Sequence, residues 1–280
     1  MNLDELRREL AQVGIRGRLG DRIVSEFADH LACDPDADLG EPRALARQFA
    51  DELGTSLARR AALRTFLALA VAGGAVVASV LKVSAAGGVY DVNVAAPVMA
   101  LLLVCILAGQ IALVAGGSAL LRAFWLRDER VIAAGEATVL VRRAGVGLFT
   151  AAVTLAAVPV ISLAPSHQVL GEVFAFAAAG IGLLAIAVAV PAVRDAARVR
   201  PVRPGDAGDL FSDLGPFAPR GVGAWPFAIM FAAGVAVVIA VSGIAASDPY
   251  DAIARGLANG LACLACFAVL GRFLGLVSAR

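Results

Sequence analysis

Apolar residues follow two patterns along this chain. Over the first sixty residues they recur at three- and four-residue spacing between charged positions, and beyond that they run together in long uncharged stretches. Leu3, Leu6, Leu10 and Val13 form one face of a short amphipathic helix, which Gly14 and Gly17 interrupt. Leu19, Ile23, Phe27 and Leu31 follow at strict four-residue intervals. Asp34-Pro35 predicts the end of this second helix, because proline disfavours helical backbone in the residue before it. Leu45, Phe49 and Leu53 predict a third helix, with Pro42 in its first turn and Gly54 as its stop. The pattern therefore reads as a three-helix domain over residues 1–60. A unit this small buries little surface and is marginal alone, so it is expected to lean on the rest of the chain or on a partner.

Six later stretches carry no charged residue: 65–81, 94–121, 144–164, 173–193, 221–247 and 256–271. A hydrocarbon core about 30 Å thick needs about 20 helical residues. Lys82 and Arg272 can snorkel outward and lengthen the first and last stretches. The runs are continuous, without the alternation of a β-barrel. Six membrane spans are expected, at 65–83, 96–121, 144–164, 171–193, 224–246 and 256–276. The predicted fold is all-α, with a small N-terminal three-helix domain at 1–60 and a six-helix transmembrane bundle at 61–280.

Basic residues set the expected orientation. Ten arginines precede the first span, five lie in 122–143, five in 194–220 and two near the C-terminus. The other three connections hold only Lys82 and Arg255. Basic connections stay cytoplasmic, so both termini are expected inside a plasma membrane. Trp125 and Trp225 fall near span ends, where amphipathic rings favour the interface. Residues 1–30 lack the apolar core of a signal peptide. The remaining connections, 82–93, 165–172 and 248–255, are too short for an external binding domain, which directs any large partner to the cytoplasmic face.

Composition supports this reading. Apolar residues make up 60% of the chain and charged residues only 17%, too rich in the first for two soluble cores. A net charge of +1 gives no support for direct nucleic-acid binding. Four cysteines and two histidines leave little material for a disulfide framework or a zinc site. One lysine against 23 arginines, in an Ala/Gly-rich chain, is the usage of a high-GC bacterial gene.

The N-terminal residues carry a resemblance. Glu26, Asp29, His30 and Leu31, then Leu39, Gly40, Pro42, Leu45, Ala46 and Phe49, lie in "EFADHL" and "LGEPRALARQFADEL". Together they resemble the HAAS-type signalling domain over roughly residues 3–60. Only "ACDPDAD" separates the two motifs, where that family usually places a short helix. The resemblance implies a small helical domain at the cytoplasmic N-terminus of a bacterial multi-span protein, associated with PadR-like transcription regulators. Glu26, His30, Arg43 and Arg47 are the expected partner contacts on this domain.

Other polar groups read as structural. Cys263 and Cys266 lie three apart on one face of an apolar span, with no basic neighbour to stabilise a thiolate. His30 and Cys33, between Asp29 and Asp34, sit at a helix end where a cation is favourable. His167 and Glu172 are expected at the outer interface. Gln110 is expected to hydrogen-bond a neighbouring helix. Gly256-x-x-x-Gly260 and Gly271-x-x-x-Gly275 permit close helix contact, expected within the monomer. The connection 194–220 opens with "RDAARVRPVRP", suited to anionic headgroups. It continues into Asp206, Asp209, Leu210, Phe211 and Leu214. Its apolar strip, Leu210, Phe211 and Leu214, is expected to dock on the N-terminal domain.

No paired carboxylates, histidine cluster or serine triad sits at one membrane depth, and no cofactor is called for. The expected function is a non-enzymatic signalling or regulatory membrane protein with a cytoplasmic protein partner. The alternative is a permease subunit working with a separate ATPase, since no phosphate-binding loop occurs in this chain.

Overall fold

The computed structural model describes residues 2–35, 37–85, 96–162, 169–206 and 249–273, with 229, 232–234, 236–237 and 240–241 between the last two blocks. Its elements are α1 (Leu3–Gln12), α2 (Arg18–Cys33), α3 (Pro42–Ala85), α4 (Ala96–Trp125), α5 (Ala134–Ser162), α6 (Val169–Arg198) and α7 (Pro249–Phe273). Among the described residues the architecture is all-α. Leu107–Trp125, Ala134–Pro159 and Ala175–Arg198 are each long and apolar enough to cross a membrane, and Ala252–Ala268 is a shorter apolar helix.

The first two helices follow the apolar spacing except at Leu19, which is 41% exposed at the start of α2, while Val24 is buried beside Ile23. Asn2 caps α1 by accepting from the Asp4 amide at 3.0 Å, and α2 stops before Pro35. Their inward faces, Leu6, Leu10, Ile23 and Val24, are buried with Ala46 of α3. Phe27 and Phe49 add an edge-to-face ring contact.

The third helix differs from expectation. Gly54 does not end it; α3 continues for 44 residues, about 66 Å at an ordinary helical rise. The expected boundary at residue 60 therefore lies inside a continuous helix. A helical glycine costs only about 1 kcal/mol. Continuing the helix buries Ala58 and Ala62. The charged residues of α3 lie in its first half, through Arg64, and its second half is apolar up to Lys82.

Two connections are likewise shorter than the charge pattern implied. Between α4 and α5 only residues 126–133 lie outside helix, so Arg142 and Arg143 are helical. After the fourth apolar run, α6 extends through Arg198 before regular structure ends. Residues 249–255, expected in a connection, form the start of α7.

α3, α4, α5 and α6 pack side by side, with α5 touching the other three and α7 touching α4. Their shared core is lined largely by small residues, including Ala68, Ala72, Ala112, Ala151 and Ala189, around Leu69, Leu148, Leu155 and Ile186. Large apolar groups face outward instead: Phe149 is 70% exposed and Leu184 68%. Small residues inside and large ones outside suit helices packing in lipid, where burial of apolar surface gives little drive and close backbone approach gives contact. Pro159 and Pro191 are accommodated within α5 and α6. A Cβ on Gly256 would lie 2.5 Å from the Ala236 carbonyl oxygen, so this glycine packs within the chain, as expected.

Candidate functional site

The polar side chains converge where α3 leaves the bundle, on two connections that have no regular backbone partner. Residues 126–133 join α4 to α5, and residues 199–206 form a strap without regular secondary structure after α6. Backbone groups in such segments must find partners or water. Here α3 supplies them.

Asp51 Oδ1 accepts from the amides of Val202 at 2.6 Å and Arg203 at 3.0 Å. One turn on, Thr55 donates to the Asp51 carbonyl at 2.7 Å and accepts from the Ile132 amide at 3.1 Å. A further turn on, the Arg59 guanidinium donates to the carbonyls of Leu126 and Glu129. That places a cation at the C-terminal end of α4, where the helix dipole favours it. The strap also bonds to the start of α5, where the Ala134 amide donates to the Arg203 carbonyl at 2.9 Å, and to the other connection, where Arg203 Nη1 donates to the Val131 carbonyl at 3.5 Å. Glu52 and Arg130 add an exposed ion pair at 3.0 Å, which contributes little.

Below this junction, Arg122 of α4 pairs with Glu136 of α5. The Nε–Oε2 distance is 2.9 Å and a second bond joins Nη2 to Oε1. The side chains are 15% and 8% exposed. Glu136 stands in the first turn of α5, where a carboxylate also gains from the helix dipole. Two turns deeper Arg143 is 1% exposed and donates to the Ser118 carbonyl at 3.4 Å. The charge pattern had placed this arginine in a connection; it is a buried link between α4 and α5.

The strap completes the N-terminal core. Val199 is buried among Leu6, Leu10, Ile15, Ile23 and Val24. Pro201 lies over α3, 2.7 Å from where a Cβ on Gly54 would stand. Gly14, with φ of +90°, meets the Arg198 carbonyl even more closely. Gly54 is thus a point of close approach, and its role as a helix stop is corrected.

Sequence reasoning missed this strap. The sequence carries no clear signal for it: in the repeat Val-Arg-Pro-Val-Arg-Pro over residues 199–204, Val199 is buried and Val202 is 43% exposed.

Glu26 and His30 are exposed on one face of α2, and Glu26 pairs with Arg22 at 3.0 Å. Arg43 and Arg47 are exposed one turn apart at the start of α3. Leu210, Phe211 and Leu214, with Asp209, Trp225, His167 and Gly275, lie outside the described residues. Cys33 is exposed, while Cys263 and Cys266 are buried. The Cys266 thiol donates toward Gln110 Oε1 at 3.6 Å, which gives Gln110 its expected contact with a neighbouring helix. Among the described residues no three histidine, cysteine or acidic side chains group as metal ligands.

No family model, curated protein or solved structure matches this chain.

Proposed function

We propose that this chain is a non-enzymatic signalling or regulatory membrane protein of the HAAS-type class. Its six spans form a bundle with both termini in the cytoplasm. The three-helix N-terminal module reports to a cytoplasmic protein, of which a PadR-like transcription regulator is the leading candidate. The observation that carries the reading is the sharing of α3: its first half belongs to the N-terminal core and its second half to the bundle. A movement of the bundle is thereby felt in the module through one stiff element. The hydrogen bonds of Asp51, Thr55 and Arg59 tie the same helix to the connections flanking α5 and α6.

Affinity purification from native membranes tests the proposal. Because α3 is continuous, the full-length chain is compared with a full-length surface variant carrying Glu26→Arg, His30→Glu, Arg43→Glu and Arg47→Glu. Exposed substitutions of this kind ordinarily leave stability within about 0.5 kcal/mol. A small DNA-binding regulator held by the unaltered chain and lost from the variant is the expected result. Capture of an ATPase by both proteins would overturn it in favour of a permease subunit.

A further inference from the structure

A cleft of about 820 Å³ opens between the α1–α2 turn and the end of α6. One wall is Gln12, Gly14 and Arg16; the other includes Arg198, Arg200 and Val202. No acidic residue lines it. The basic opening of 194–220 forms one wall, and the seating of Gly14 on Arg198 brings Arg16 to it from the α1–α2 turn.

Two of the three guanidinium groups are oriented by the backbone. Arg16 Nε donates to the Ala11 carbonyl at 3.0 Å, and Arg200 Nε to the Ala197 carbonyl at 3.1 Å. These bonds leave the terminal nitrogens as donors in a fixed fork, the arrangement that suits phosphate oxygens. Opposing charge comes from Asp195, 3.9 Å from Arg198, and from the C-termini of α1 and α6, each roughly half a negative charge. Three guanidinium groups outweigh these, so the cleft stays positive.

Its depth matters as well. The uncharged run of α6 ends at Val193, and Arg198 stands about 7 Å further along the helix. The headgroup layer of one leaflet is about 5–7 Å thick. With α6 read as a membrane span, the cleft opens at the outer edge of the headgroup layer, exposed to soluble anions and within reach of lipid phosphates through its arginine side chains.

We infer that this cleft binds a phosphate-bearing anion, which bridges the N-terminal module to the strap. Both a phospholipid headgroup and a soluble phosphate offer that chemistry. Bound there, the anion holds residues 12–16 against residues 197–202 and slows local opening of the α1–α2 turn.

Hydrogen exchange of the full-length protein in nanodiscs reads that opening at the amides of Val13, Gly14 and Ile15. Discs of phosphatidylcholine alone are compared with equimolar phosphatidylcholine and phosphatidylglycerol, and with phosphatidylcholine discs plus inorganic phosphate. Chloride at matched ionic strength is the control. Slowing of about fivefold or more, an ordinary coupling between a ligand and a local equilibrium, is expected. Slowing confined to phosphatidylglycerol discs identifies the lipid, and slowing by inorganic phosphate identifies a soluble compound. The variant with Arg16→Gln, Arg198→Gln and Arg200→Gln loses the effect. A variant with Arg8→Gln, Arg60→Gln and Arg64→Gln, equal in net charge, retains it. No slowing beyond chloride in either arm, or equal loss in both variants, overturns the proposal. The comparison with chloride uses the unaltered chain, so it holds even if the cleft variant does not fold. No partner protein takes part, which separates this result from the signalling reading.

Discussion

The Oδ1 of Asp51 lies 2.6 Å from the backbone nitrogen of Val202, although 151 residues separate them in the chain. A side chain in the charged half of α3 therefore fixes the strap that follows α6. Asp51→Ala removes both strap hydrogen bonds and is expected to lower stability by about 1–2 kcal/mol. Asp51→Asn keeps an acceptor oxygen and recovers part of the loss. Thermal unfolding of the detergent-solubilised protein measures both, and unchanged midpoints would remove the strap from the account.

The Arg122–Glu136 pair predicts an asymmetric double-mutant cycle. Removing one partner breaks both bonds of a mostly buried ion pair, so Arg122→Met or Glu136→Leu alone is expected to cost about 3–5 kcal/mol. The double variant is expected to be much closer to the unaltered protein, because neither charge then remains. Denaturation in detergent gives all four corners.

Gly54→Ala sets helix propensity against packing. Alanine gains about 1 kcal/mol within a helix. Its Cβ would stand 2.7 Å from both the Pro201 nitrogen and Cδ, and backbone there cannot rotate aside. Overpacking of this kind costs about 1–3 kcal/mol, so the net expectation is destabilisation. A rise in the unfolding temperature would show that the strap moves away cheaply.

Val199→Asp tests the shared N-terminal core more sharply. It puts a carboxylate among Leu6, Leu10 and Ile23, where an unpaired charge is strongly disfavoured. Helices α1 and α2 should come away while the α3–α6 bundle persists. Limited proteolysis checks this: cleavage in residues 34–41 should speed up severalfold, with the remainder of the chain still protected. Equal protection in both proteins would mean that Val199 is not a keystone of that core.

What the sequence by itself determined was local. The spacing of Leu3, Leu6 and Leu10 and of Ile23 and Phe27 sets the inner faces of α1 and α2, because a helix repeats every 3.6 residues whatever surrounds it. The stop before Pro35 follows from a steric clash within two residues. Long uncharged runs mark apolar helices by the same kind of reasoning, since length and transfer free energy belong to the segment itself. The tertiary structure decided three other things: that α3 runs on through Gly54, that Arg143 is buried, and that Val199 joins the N-terminal core. A glycine's preference of about 1 kcal/mol yields to the burial of Ala58 and Ala62 one and two turns later. Arg143 sits among helices whose alanines and glycines let backbones close around it. Val199 finds its neighbours nearly two hundred residues back, where no pattern in its own segment names them.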